Sequence, residues 1–326
     1  MKISGLLCAA VAALAGVSNA AYAASDYPTK PITLIIGFAP GGPTDAIGRV
    51  LFKAVSEKLG VPIIIENKPG AGGNIGSQEL LRAKPDGYTL LYGTSSITTA
   101  APLFGREDLN PTKAFTPASC TVGVPLILLT NKAMDMKSAP QLYDAIKENP
   151  DKYFQGSSGN GAIDHLVSAD IAHRLNLDFQ HVPYKGNGPA LTDLVSGNVN
   201  FMYSGSFNSA MPFIQSGQAT ALAVTSNKRS VSLPDVPALS EVVPELKGFD
   251  AGTWQVLLAP NGTDPAILTK LDNAVQAALK DPEVEKSLRF QGAEPMNKDP
   301  EACKDYVSSE YSRWSETIKR LGLKAG

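Results

Sequence analysis

Apolar positions along this chain alternate between two periods, one suited to buried strands and one to amphipathic helices. Residues 32–38, ITLIIGF, form a continuous apolar run of the kind buried in a parallel sheet. Ile47, Val50, Leu51, Ala54, Val55 and Leu59 then recur at helical spacing until Gly60 stops the helix, which we place as opening on Asp45. PIIIEN predicts the next strand, KPGAGGNIGSQELLRAK a glycine-rich turn into a second helix, and YTLLYGTSS a third strand that ends in hydroxyls. From Val124 the theme restarts: PLILLTN is a strand, and SAPQLYDAIKENP a helix with Ser138 as its cap. KYFQGSSGNGAIDHLVSADIAHRLN and FQHVPYKGNGPALTDLVSGNVNFMYS each run strand, glycine loop, helix, and QATALAVTS closes the set. Prolines between Asn227 and Gly248 mark an irregular connector. Beyond it come the strand GTWQVLLAP and helices over 264–280, 282–290 and 300–321.

This alternation predicts an α/β protein. The last helices lack neighbouring strands of their own, so we expect them to fold back on the first lobe. That gives lobe 1 as residues 24–123 and 249–326, with lobe 2, residues 124–248, inserted between them. Ligands of open α/β sheets sit at the carboxyl ends of strands, which directs attention to the glycine and serine loops.

The first of these loops, GFAPGGPT, leads into a helix N-terminus whose free N–H groups and dipole favour an anion. No lysine or arginine lies between Pro31 and Gly48, so an anion there is bound by backbone dipoles, with Gly41 and Gly42 allowing close approach. Pro43 stands where a phosphate-binding loop requires lysine, and the glycine spacing does not fit a dinucleotide fingerprint. GAGGNIG (70–76) offers a second set of amides, expected to face the first across the cleft, and Thr94, Ser95 and Ser96 supply hydroxyls for the cleft floor. In GSSGNG (156–161) the glycines do not flank Ser158 as a nucleophile elbow demands, so its hydroxyl is expected to donate beside the amides of Gly159 and Asn160. The three histidines, His165, His173 and His181, are spaced eight apart, which matches no helical metal motif. His165 stands beside the GSSGNG loop, placed either to bond a ligand or to brace the loop. Phe38 and Tyr184 suit either the flank of an apolar ligand body or the core. Asp193 suits either a cleft contact or a brace.

Composition and the N-terminus narrow the class. Met1–Lys2, an apolar alanine-rich stretch and Ala21-Tyr22-Ala23 make a signal peptide cleaved after Ala23, hence an exported protein in the periplasm. A net charge of −2, with no basic run longer than Lys228-Arg229, excludes a nucleic-acid footprint. At 43% hydrophobic residues the chain can bury two cores. Cys120 and Cys303 survive cleavage and are free to pair in an oxidising compartment, although their spacing alone does not decide it. No cofactor or metal is expected.

Taken in order, YPTKPITLIIGFAPGGPTDAIGR, ENKPGAGGNIG, KPDGYTLLYGT, HVPYKGNGPALTDLVSGNV, LPDVPALSE and GTWQVLLAP resemble the Bug family of periplasmic solute-binding proteins, the extracytoplasmic component of tripartite tricarboxylate transporters. The resemblance implies a two-lobed, type II periplasmic-binding-protein fold with the ligand in the interlobe cleft. It also implies a small carboxylate as ligand, large and small membrane subunits as partners, and no catalysis; we expect a monomer. Carried over by motif, one group of ligand contacts is Phe38, Ala39, Gly41, Gly42 and Thr44 with Gly72, Gly73 and Asn74. The other is Ser157, Ser158, Gly159, Asn160 and Gly161 with Tyr184, Gly186 and Asn187.

Two departures from the family pattern bear on selectivity. Gly161-Ala162-Ile163-Asp164 replaces the family's GSP before His165, and Tyr203-Ser204-Gly205-Ser206 carries hydroxyls, Ser204 among them, where many members have an aspartate. The missing acid argues against amino-acid ligands and toward dicarboxylates or aromatic acids. Two alternatives remain at this point: a secreted serine hydrolase using Ser158 and His165, and the ligand-binding subunit of a signalling receptor.

Overall fold

A computed structural model describes residues 26–323; the expected signal peptide lies outside them. The first series of elements is β1 (Ile32–Ile36), α1 (Pro43–Leu59), β2 (Ile63–Asn67), α2 (Asn74–Arg82), β3 (Thr89–Thr94), α3 (Ser96–Leu103), α4 (Pro111–Ala114) and β4 (Phe115–Pro125). The second runs β5 (Ile127–Asn131), α5 (Ala139–Glu148), β6 (Phe154–Ser157), α6 (Ile163–Leu175), β7 (Gln180–Pro183), α7 (Asn187–Ser196), β8 (Phe201–Ser204), α8 (Phe207–Gln215), β9 (Ala219–Val224) and α9 (Leu239–Val242). The chain ends with β10 (Gly252–Pro260), α10 (Pro265–Leu279), α11 (Pro282–Phe290), β11 (Glu294–Pro295) and α12 (Pro300–Arg320). Helix α1 starts at Pro43, two residues before the expected Asp45, because proline's fixed φ suits the first helical position.

Two mixed sheets carry these elements, an α/β arrangement in two lobes. The first has strand order β11-β4-β10-β3-β1-β2 and the second β7-β6-β8-β5-β9. Strands β1, β2 and β3 are mutually parallel, as are β6, β7 and β8. Parallel pairing sends the loops after each trio out of the same sheet edge, so the glycine and hydroxyl loops gather there. Strand β4 escapes the sequence reading because FTPASCTVGVP mixes small polar residues with few large apolar ones. It is nonetheless almost wholly buried, since Ser119 donates to Asp272 (2.6 Å) and Thr121 to the Gln255 carbonyl (3.0 Å).

The chain passes from one sheet to the other at Leu126 and again between Val224 and Gly252. Thr225 ties the two passages together: its hydroxyl donates to Ala251 O (2.6 Å) and accepts from Leu126 N (2.8 Å). Gly252 is required at the junction, because a Cβ there would lie 2.5 Å from Val124 O.

Helix α12 does more than fold back on the first lobe. Cys303 and Val307, near its start, pack with Cys120, Trp254 and Val256 of the first sheet's core. Trp314 and Ile318, near its end, pack instead with Leu126, Phe201 and Phe249 in the second core. The helix therefore straddles both lobes at the back of the molecule.

Cys120 and Cys303 form a disulfide, 183 residues apart in sequence, which ties α12 to β4. Closing so long a loop restricts the unfolded chain by about 5 kcal/mol in the loop-entropy picture, with about 2–4 kcal/mol typical in practice. Reducing agent, or Cys303→Ala, is expected to lower the thermal midpoint by several degrees in a fluorescence melt. An unchanged midpoint would show that α12 is held by packing alone.

Candidate functional site

Between the lobes lies a cleft of about 810 Å³. The first lobe supplies Phe38, Gly41, Pro43, Thr44, Gly72, Thr94, Ser95 and Ser96, with Thr253 and Gln255 from β10. The second supplies Ser158 through Asp164, Gly186, Asn187 and Gly205 through Ser209. Among the described residues no lysine, arginine or histidine lines it, and Asp164 is the sole charged residue that does.

Helix caps distinguish this cleft from the rest of the surface. Helices α1, α2, α3, α6, α7 and α8 all begin at or beside its wall, and none has a side chain bonded as N-cap. The other described helices of eight residues or more, α5, α10, α11 and α12, are capped by Ser138, Asp264, Asp281 and Asp299. First turns without an N-cap side chain leave N–H donors free and a partial positive charge at the tip, although in α3 Thr94 Oγ1 takes Ser96 N–H (3.2 Å) and in α6 Asp164 Oδ1 takes His165 N–H (3.1 Å). In α1 the N–H groups of Thr44 and Asp45 donate to no protein acceptor, whereas Gly41 N–H is taken by Asp45 Oδ2 (2.9 Å). Asp45 also accepts from Arg49 (2.8 Å) and Asn67 (2.9 Å). Burial opposes ionisation, but these three bonds outweigh it and hold the carboxyl at about 2. This network fixes the loop's shape from behind.

The two glycine loops of the first lobe lie side by side, and do not face each other across the cleft as the sequence reading expected. Strands β1 and β2 are neighbours, and a Cβ on Gly37 would meet Gly73 Cα at 3.0 Å, one on Gly76 Gly37 Cα at 3.1 Å. The facing donors come from the second lobe.

Of the sequence-derived candidates, Phe38, Gly41, Thr44, Gly72, Thr94, Ser95, Ser158, Gly159, Asn160, Gly161, Gly186 and Asn187 reach the cleft wall. Ala39, Gly42, Gly73, Asn74, Ser157, His165, Tyr184 and Ser204 are not among its lining residues. Asn74 is buried, its amide donating to Ala100 O (3.4 Å), and Ser204 Oγ accepts from Ser206 N (3.3 Å). The Tyr184 hydroxyl donates to Asp193 Oδ2 (2.7 Å), which makes Asp193 a brace. Sequence reasoning passed over Leu103, Phe104, Leu126, Asn208 and Gln255. Gln255 was detectable, as an amide in the middle of the apolar run TWQVLLAP. Leu126 was not, because its exposure to the cleft follows from the passage between sheets.

The Ser158 hydroxyl donates to Asp164 Oδ1 (2.7 Å), and Asp164 Oδ2 accepts Ser158 N–H (2.6 Å). His165 Nδ1 accepts Gly161 N–H (3.0 Å), so Ser158 and His165 make no nucleophile–base pair. Behind the loop His165 stacks on His181 at 3.9 Å between centroids, and His181 Nε2 lies 2.6 Å from Ser157 Oγ. Two imidazoles thus hold the 157–161 loop from the side away from the cleft, where all three histidines line a separate cavity of about 320 Å³.

Burial and then the His181 charge push the His165 pKa down from 6.5 to about 4, and burial lowers His181 as well. The unfolded chain therefore takes up protons first on acidification. The stability this imidazole contributes is complete above about pH 6.5 and is lost as pH falls toward about 4. For His165 the loss is at most about 3 kcal/mol. Melts of wild type and His165→Gln across this range are expected to converge at the acid end; parallel curves would remove His165 from the account.

Comparison with known proteins agrees with this architecture. Residues 47–323 match the family described as "Tripartite tricarboxylate transporter family receptor". Protein BugT of Bordetella pertussis is 34% identical over 319 residues, covering 96% of this chain and 95% of BugT. Among solved structures, MatC from Rhodopseudomonas palustris with bound malate is 32% identical with a TM-score of 0.72, covering 90% of this chain and 100% of that one. An R. palustris protein with adipate is 30% identical with a TM-score of 0.76, covering 92% and 99%. These relatives are substrate-binding proteins, not enzymes, which sets the hydrolase alternative aside. The chain belongs to the Bug-type tripartite tricarboxylate transporter receptor family.

Proposed function

We propose that this protein is a periplasmic receptor, exported by a signal peptide cleaved near Ala23. In this reading it closes as a monomer on a small carboxylate and delivers it to the large and small membrane subunits of a tripartite tricarboxylate transporter. The observation that carries the reading is the convergence of uncapped helix N-termini on a cleft lined by no cationic side chain. Such a site neutralises a carboxylate with hydrogen bonds and dipoles from both lobes, so the closed state is selected because it alone makes both sets of contacts. Malate in MatC and adipate in the R. palustris protein are carboxylates bound by relatives.

An amino acid is the poorer fit. Its ammonium needs an acceptor of high negative charge, and the cleft's one carboxylate, Asp164, is already bonded to Ser158 and to His165 N–H. Burial raises the Asp164 pKa, which further weakens it as a counter-ion.

Malate, adipate, benzoate, glutamate and aspartate form a discriminating panel for thermal shift and calorimetry. We expect the largest stabilisation from an acid without an ammonium group, about 2.7 kcal/mol at a hundred times its Kd. A dominant response to an amino acid would overturn the ligand class. A second measurement tests backbone recognition. Gly41 lines the cleft at φ +80° and a Cβ there meets no protein atom within 4 Å, so the methyl of Gly41→Ala projects into open space. We expect about tenfold weaker binding at a stability cost of about 1 kcal/mol; unchanged affinity would remove this loop from the site.

A further inference from the structure

The cleft lining includes apolar Val124, Leu126, Leu103, Phe104 and Phe207, and an oxygen-bearing group on a ligand pushed among them needs a donor. Gln255, 4% exposed on β10 and paired with Thr94 of β3, lines the same cleft.

Its orientation is set from behind. Tyr92 is fully buried, and its hydroxyl donates to Gln255 Oε1 (2.7 Å), while Thr121 Oγ1 stands 3.1 Å from the same Tyr92 hydroxyl. Thr121 is itself fully buried, and its one hydroxyl hydrogen goes to the Gln255 main-chain carbonyl (3.0 Å). With the oxygen so occupied, Nε2 and its two hydrogens donate to no protein group. Beside it Ser95 N–H is bonded to Trp254 O (2.8 Å), and the Ser95 hydroxyl, on the cleft wall, has no protein partner either.

We propose that Gln255 is a specificity-determining residue: it presents a neutral pair of N–H donors, polarised by the Tyr92 hydroxyl on its oxygen, to a ligand oxygen other than those of the first carboxylate. This rests on the carboxylate reading above. An uncharged donor suits an acid that carries a second carboxylate, a carbonyl or a hydroxyl oxygen, and it penalises a purely apolar tail, which would leave the amide unpaired. Tyr92 and Thr121 are positioning residues, acting through Gln255 without touching ligand.

Calorimetry with two matched pairs, succinate with butyrate and adipate with hexanoate, tests the assignment. Wild type is expected to favour the diacid of at least one pair by tenfold or more. Gln255→Met, of similar length, is expected to lower that diacid's affinity about tenfold or more while the matching monoacid changes less than threefold. Gln255→Glu, which sets like charges together, is expected to lower the diacid further. Tyr92→Phe frees the amide to turn, so discrimination between succinate and its half-amide, succinamate, should shrink at least threefold, a change that loss of packing alone would not produce. A melting curve confirms that each variant is folded. If wild type binds these acids and Gln255→Met weakens both members of a pair equally, or neither, the assignment to Gln255 is wrong and the carboxylate reading stands. If wild type binds none of the four, this inference falls; the carboxylate reading falls with it only if malate and benzoate fail to bind as well.

Discussion

Under the proposed reading an anion between two lobes is stabilised by main-chain dipoles aimed from several directions, and that requirement would shape the rest of the molecule. Six helices begin at or beside one cleft without side-chain caps, whereas the long helices elsewhere are capped by serine or aspartate. Uncapped first turns forgo about 1 kcal/mol apiece relative to a good cap. Their collection at one place is explained by a ligand that supplies the missing acceptors. Parallel strand trios make the convergence possible, since loops that follow parallel neighbours leave by the same edge.

Backbone recognition needs tight, fixed loops. In the first lobe the contact between Gly37, Gly73 and Gly76 lets two loops share one edge without side chains between them. Asp45 holds the first loop through Gly41, Arg49 and Asn67. In the second lobe Asp164 and the histidine stack do the same for residues 157–161. The titratable groups near the cleft thus act on loop geometry from behind it.

Much of this was legible in the sequence. Apolar runs located strands β1, β3, β5 and β10, and glycine clusters after strands located the cleft loops, although β5 and β10 pair antiparallel. What the sequence hid has physical reasons. Strand β4 is buried through hydroxyls that find partners far along the chain, so its composition reads as loop. Ser157, Asn74 and Ser204 stand at the right places along the chain, but their side chains are spent on partners within the protein: Ser157 on His181, Asn74 on Ala100 O, and Ser204 on Ser206 N–H and Asn187. His165 stood between two roles by spacing alone, and only the stacked His181, on the next strand, assigns it to bracing. The disulfide was undecidable because 183 residues separate cysteines that the fold brings to adjacent elements.

The closure proposed above would need the lobes to move as units and to meet closely at the rim. Gly161 faces Leu103, and Gly292 faces Phe207, each at a distance that leaves no room for a Cβ (2.4 and 2.2 Å). The seam is therefore drawn by glycine on one side and a large apolar side chain on the other. At the back, α12 opposes free separation: Glu310 accepts from both Trp254 and Trp314 (3.0 and 2.9 Å), and Arg313 reaches Asp170 of the second lobe (2.9 Å). Arg313 is about a quarter exposed and Asp170 nearly buried, so this pair is less screened than a surface bridge. Helix α12 is thus anchored to β4 by a disulfide and to α6 by an ion pair, and it joins the two lobes on this side of the molecule.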